Sequence, residues 1–126
     1  MKNTKFYICE KCGNIIEMIN DSGVTPVCCG QKLTEIKAGT VDASREKHIP
    51  VVTYSGNTVK VVVGSVLHPM TPEHSIEWVY LVTDCGCERV HLSSESAPEV
   101  VFTLGNEKPI AVYAYCNLHG LWKSEI

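Results

Sequence analysis

Four cysteines crowd near the start of the chain. Cys9 and Cys12 form a C-x-x-C followed by Gly13, and the adjacent pair Cys28 and Cys29 is followed by Gly30. Four thiolates within 21 residues suit a tetrahedral site for zinc or iron. A segment this short cannot bury enough apolar area to fold alone, so a metal has to staple it. The chain carries seven cysteines in all. An odd number, with no signal peptide readable in the lysine-bearing N-terminus, argues against a disulfide framework and for metal or redox use. The expected location is the cytoplasm. The adjacency of Cys28 and Cys29 is unusual, because neighbouring side chains tend to point apart and two spaced chelating turns are the usual arrangement. An adjacent pair on one metal should distort the tetrahedron; structural zinc and a vicinal disulfide are the other readings of the motif.

A second feature lies near the other end. Cys116 and His119 sit three apart in Tyr115-Cys116-Asn117-Leu118-His119-Gly120, a polar turn closed by glycine after the apolar run from Ile110 to Tyr115. A soft thiolate and an imidazole on one turn can face the same metal, and together they favour iron, zinc or copper over magnesium or calcium. Two ligands do not fill a site. The further candidates are His48, His68, His74, His91, Cys85 and Cys87. Of the histidines, His48, His68, His74 and His119 fall at strand ends or in loops, and His91 falls within a strand-like run.

The chain between these features reads as β structure. Lys5 to Ile8 and Ile15 to Ile19 are short strand candidates around the first cysteines. Residues 37 to 45 turn small and polar and read as a linker, so residues 1–36 form one module and 37–126 a second domain. Strand-like runs follow at Val51 to Tyr54, Thr58 to Val63, Ile76 to Val82, Glu88 to Leu92, Val100 to Leu104 and Ile110 to Tyr115. Pro69 and Pro72 both fall between His68 and His74, excluding a helix interior there and fixing an extended loop. Trp122 is expected to pack back on the domain. Six or seven short strands with no convincing helix predict an all-β chain: a small metal-stapled module, then an antiparallel sandwich of immunoglobulin-like type.

The formal net charge is −3 and no basic stripe is visible, which disfavours nucleic acid as a partner. No apolar run approaches the roughly 20 residues needed to span a bilayer as a helix.

The spacing C-E-K-C-G, a gap, then C-C-G-Q-K-L resembles the desulforedoxin module, which holds one iron by four cysteine sulfurs. The resemblance then extends along the chain. E-K-H-I-P, G-S-V-L-H-P-M, E-H-S-I-E-W and Y-C-N-L-H-G, in this order, are similar to the superoxide reductase motifs of the two-iron desulfoferrodoxin family. The resemblance implies one iron held by Cys9, Cys12, Cys28 and Cys29. It implies a second iron held equatorially by His48, His68, His74 and His119 and axially by Cys116. His91 matches no ligand motif and reads as a strand residue, and Cys85 and Cys87 read as free thiols in a turn.

The activity implied is superoxide reduction: superoxide, one electron and two protons give hydrogen peroxide. No oxygen is made, so an outside reductant must restore the ferrous state, and the family points to rubredoxin or a similar small carrier. Five protein ligands leave the sixth position of an octahedral site open. Lys47, next to His48, places a cation where it would attract the anionic substrate and hold a water for proton delivery. Glu46 would occupy the open position in the ferric state. A homodimer is also implied. The competing readings are a non-enzymatic two-iron electron carrier, which has no need of an open position beside Lys47, and a zinc-binding module. Metal content separates the last from the others.

Overall fold

The computed structural model describes residues 4–126, and the chain divides between Lys37 and Ala38 into two compact units. The first contains β1 (Phe6–Ile8), β2 (Ile15–Glu17), β3 (Val27–Cys28), β4 (Gln31–Lys32) and β5 (Thr34–Ile36). β1 is the centre of an antiparallel sheet between β2 and β5, and β3 pairs β4 in a separate hairpin. Its core is Tyr7, Cys9 and Leu33, with Met18 and Cys28 against them. Two cysteines therefore belong to the core itself. Such a core is too small to fold the unit unaided, so whatever joins the sulfurs also completes the packing.

The second unit opens with a single helical turn, α1 (Arg45–His48), where only linker and loop are expected from the sequence. Then come β6 (Pro50–Ser55), β7 (Thr58–Val63), β8 (Ile76–Thr83), β9 (Cys87–His91), β10 (Glu99–Thr103), β11 (Pro109–Cys116) and β12 (Gly120–Glu125). They form two antiparallel sheets, β10-β7-β6 and β12-β11-β8-β9. β10 alternates exposed and buried residues, as a strand with one solvated face should. β8 and β11 are buried almost throughout, which matches their near-continuous apolar runs. Val59, Val61 and Val63 from one sheet meet Val79, Leu81 and Val112 from the other, and all six are completely buried. On the other side of the four-stranded sheet Trp78 stacks on Tyr115, with ring centroids 5.3 Å apart. The arrangement is the antiparallel sandwich expected from the strand pattern. β12 is the addition: it pairs with β11 along its length and carries Trp122, which is buried.

Three local devices place the ends of these strands. β11 presents Val112, Ala114 and Cys116 to the interior, so the thiol ends a row of core side chains and is fully buried. Gly120, at φ +77°, reverses the chain from β11 into β12, and glycine adopts that conformation without Cβ strain. Gly64, just after β7, lies against α1. A Cβ there would stand 2.5 Å from the Glu46 carbonyl oxygen and 2.9 Å from the Lys47 carbonyl carbon. Among the described residues, no helix is long and apolar enough to cross a membrane.

Candidate metal centres

The sulfurs of Cys9, Cys12, Cys28 and Cys29 all lie within 4.8 Å of one another. Cys12 and Cys28 are 3.6 Å apart, and Cys28 and Cys29 are 3.9 Å apart. A tetrahedron with metal–sulfur bonds of about 2.3 Å has edges of about 3.8 Å, so the spacing fits one metal. The distortion expected from adjacent cysteines is taken up by the backbone. Cys29 sits at φ +54°, the left-handed region that non-glycine residues seldom enter. That twist turns its side chain to the same side as that of Cys28. Electrostatics agree. Hydrogen bonding, first from the Cys12 backbone N–H, lowers the Cys9 thiol to about 6. Hydrogen bonds shared with Cys12, Cys9 and Cys28 push Cys29 up to about 12. Four neighbouring thiolates repel one another, and a cation removes the conflict.

In the second unit, the end of α1, the loops after β7, and the β11–β12 turn bring four imidazoles and a thiol together. The ring centroids of His48 and His68 are 4.7 Å apart, those of His68 and His74 4.6 Å, those of His74 and His119 5.1 Å, and those of His119 and His48 5.0 Å. His48 and His74 are 6.5 Å apart. The rings therefore form a square with His48 and His74 at opposite corners, and successive rings are nearly perpendicular. Ligand atoms of His48, His68, His74 and Cys116 lie within 4.8 Å of one another. His119 joins through Nδ1, 3.2 Å from His48 Nε2 and 3.9 Å from Cys116 Sγ.

The protons identify what the square is built for. His48 Nδ1 lies 2.6 Å from the Ser44 carbonyl oxygen, and His68 Nδ1 lies 2.7 Å from that of Pro69. A carbonyl only accepts, so both Nδ1 atoms carry protons, and both Nε2 atoms present lone pairs. Those two Nε2 atoms are 3.2 Å apart. Burial, opposed by these carbonyl bonds, holds both rings below the ordinary histidine range, His68 at about 4, so they are neutral at pH 7. His74 Nε2 is buried without a hydrogen-bond partner. Lone pairs aimed at one point and an orphaned nitrogen among them fit a metal ion. Burial raises the Cys116 thiol, while the backbone N–H groups of Leu118 and His119 favour its thiolate. Soft sulfur with four imidazoles suits iron.

Every metal-ligand candidate implied by the family resemblance thus lies in one of two clusters. Glu46 and Lys47 are exposed on α1, directly before His48. The Lys47 charge is among the causes that lower both His48 and His74, with burial the largest. His91 is exposed on β9, and Cys85 and Cys87 are exposed free thiols. Several residues support the site through contacts that the sequence alone does not reveal. The Trp122 ring stacks on His48 at 5.0 Å, and its Nε1 donates to the His119 carbonyl oxygen at 3.0 Å. Gly64 seats α1, whose Glu46 carbonyl accepts from Val66 N at 3.0 Å and Ser65 Oγ at 3.2 Å. Asn117 ties the His74 loop to the β11–β12 turn. Only the sequence context of Asn117, between two ligand candidates, hinted at a role.

Comparison with known proteins gives a consistent result. The desulfoferrodoxin family model matches residues 40–125, and the model of the desulfoferrodoxin N-terminal domain matches residues 2–36. The desulfoferrodoxin of Nitratidesulfovibrio vulgaris is 45% identical over 121 residues, 96% of this chain and 95% of that protein. The superoxide reductase of Thermococcus kodakarensis is 37% identical over 109 residues, covering 72% of this chain and 93% of that one. The solved superoxide reductase from Treponema pallidum superposes with a TM-score of 0.83 at 42% identity, over 98% of this chain and all of that one. The two clusters and these likenesses agree that the chain belongs to the desulfoferrodoxin family.

Proposed function

We propose that this chain is a superoxide reductase that converts superoxide to hydrogen peroxide with one electron and two protons. The observation that carries the reading is the square of four neutral imidazoles with a buried thiol beside it. His48, His68, His74, His119 and Cys116 would hold the iron. Five donors would leave room for substrate at the metal, and ferrous iron held by them would supply the electron.

The chain's own groups supply the rest. The Nδ1 bonds of His48 and His68 to backbone carbonyls fix their tautomers and raise the basicity of the opposite nitrogen. The N–H groups of Leu118 and His119 favour the Cys116 thiolate, but burial outweighs them and keeps the thiol above its ordinary range, so a bound cation would be what draws the proton off. Lys47 draws superoxide toward the open position, and its ammonium holds the water that delivers a proton. Glu46, exposed beside Lys47, would serve as a further carboxylate donor to the oxidised iron. Cys9, Cys12, Cys28 and Cys29 hold the other iron with no open position, which suits relay or structure and not substrate binding. Rubredoxin or a similar small carrier would return the electron, in the cytoplasm, to a homodimer.

The test is metal content with spectroscopy and kinetics. Two irons per chain are expected, with a thiolate-to-iron band that appears on oxidation. Pulse radiolysis of the reduced protein should show a fast second-order reaction with superoxide, yielding peroxide without oxygen. Zinc in the second centre, or an iron-loaded protein inert to superoxide, would sink the reading.

A further inference from the structure

We propose that Asn117 is a positioning residue for the second centre. Its side-chain amide stands in for a peptide group and fastens the loop that carries His74 to the turn that carries Cys116 and His119. The inference rests on the metal-centre reading of that cluster.

β11 and β8 run antiparallel to the pair Cys116 and Ile76, after a register shift between Tyr115 and Cys116. One residue on, the Asn117 N–H donates to the Ser75 carbonyl at 3.2 Å. There the main chain has to leave the ladder, because Cys116 and His119 must both reach the same point. The side chain continues what the backbone abandons. Asn117 Oδ1 accepts from the Ser75 N–H at 3.0 Å, and Nδ2 donates to the Glu73 carbonyl at 2.9 Å. The two anchored residues, Glu73 and Ser75, flank His74.

The other bonds of the loop do a different job. Thr71 N donates to the His74 carbonyl at 2.9 Å, and His74 N donates to Thr71 Oγ1 at 3.1 Å. Both close the loop on itself without placing it relative to Cys116. His74 is less buried than His48 or His68, and its Nε2 has no hydrogen-bond partner. Its side chain is not locked by a carbonyl as theirs are, so its position depends on the loop, and the loop is held across the site by Asn117. Aspartate is not an equivalent: it keeps an acceptor for the Ser75 N–H but turns an oxygen toward the Glu73 carbonyl, acceptor against acceptor.

The test compares Asn117→Ala and Asn117→Asp with Val79→Ala, which weakens the buried core away from the loop. Chelator competition on the iron-loaded proteins should show second-centre affinity lowered about 10- to 100-fold in Asn117→Ala, the range for lost supporting contacts. Asn117→Asp should fall between it and wild type. The ferric electron paramagnetic resonance spectrum should change in both, and Ser75 amide exchange should accelerate in Asn117→Ala. The four-cysteine iron should be unchanged, and Val79→Ala should keep the wild-type spectrum. Wild-type affinity and spectrum in a folded Asn117→Ala would overturn the proposal. If that variant does not fold, the same result in Asn117→Asp would overturn it. A spectrum altered equally by Val79→Ala would reduce Asn117 to general stability. If the wild type held no iron at the second centre, the metal reading itself would fail, which is a separate outcome.

Discussion

Replacing Gly64 with alanine tests how the helical turn α1 is held. The added Cβ would stand 2.5 Å from the Glu46 carbonyl oxygen, 2.9 Å from the Lys47 carbonyl carbon and 3.1 Å from the Ile49 carbonyl oxygen. All three are backbone atoms, so no side chain can swing aside. Opening the shortest contact from 2.5 Å to between 3.0 and 3.4 Å moves α1 or the end of β7 by 0.5 to 0.9 Å. α1 carries Glu46, Lys47 and His48, and His48 is one corner of the square. Overpacking of this kind costs about 1–3 kcal/mol. Shifting a ligand's support typically lowers metal affinity by about 10- to 100-fold. Urea unfolding of the iron-free protein followed by tryptophan fluorescence reads the first quantity, because Trp78 and Trp122 both lie in the second unit. Chelator competition reads the second. A Gly64→Ala protein within about 0.5 kcal/mol of wild type, with unchanged iron affinity, would refute the argument that α1 is seated on this glycine.

Other predictions concern charge, protons and the first metal. Lys47→Ala should slow the reaction with superoxide several-fold and flatten its dependence on ionic strength; an unchanged pulse-radiolysis rate would remove the steering role. The second unit, freed of iron, should lose stability as pH falls from about 6.5 toward 4. Over that range the unfolded chain protonates His68, whose folded value is about 4, and His48 and His74 are shifted the same way. The loss is on the order of 3 kcal/mol from His68 alone, and a urea midpoint equal at pH 7.5 and pH 5 would contradict it. Cys28→Ser should abolish the visible absorption of the four-cysteine iron. It should leave a single turnover with superoxide by pre-reduced protein intact, because every donor to the second centre comes from the second unit. A slower single turnover would show dependence on the first metal.

Much of this architecture was legible because it is written in local patterns. Apolar runs between turns located β6 to β11, and the residue types of both clusters stood out by softness and spacing. β12 was not legible: Leu121 and Trp122 are too short an apolar signal after a glycine, and the strand exists because β11 offers it an edge. α1 is four residues long, too short for helical periodicity. Trp122 was expected to pack on the domain and is buried there, but the particular contacts of Asn117, Gly64 and Trp122 escaped for a different reason. Each acts on a partner distant in sequence: Asn117 meets Ser75 42 positions away, and Trp122 stacks on His48. A single sequence carries no trace of such pairings. The adjacent cysteines posed the right problem, and the answer lay in one backbone angle at Cys29.

The two centres also differ in how early each can exist during synthesis. All four sulfurs of the first come from Cys9 to Cys29, so its ligands are complete while most of the chain is still unmade. The second waits for His119, which meets His48 across 71 positions, and for Trp122 on the last strand. Because domains fold from the N-terminus during translation, a nascent chain can take up its first metal long before the second site is assembled.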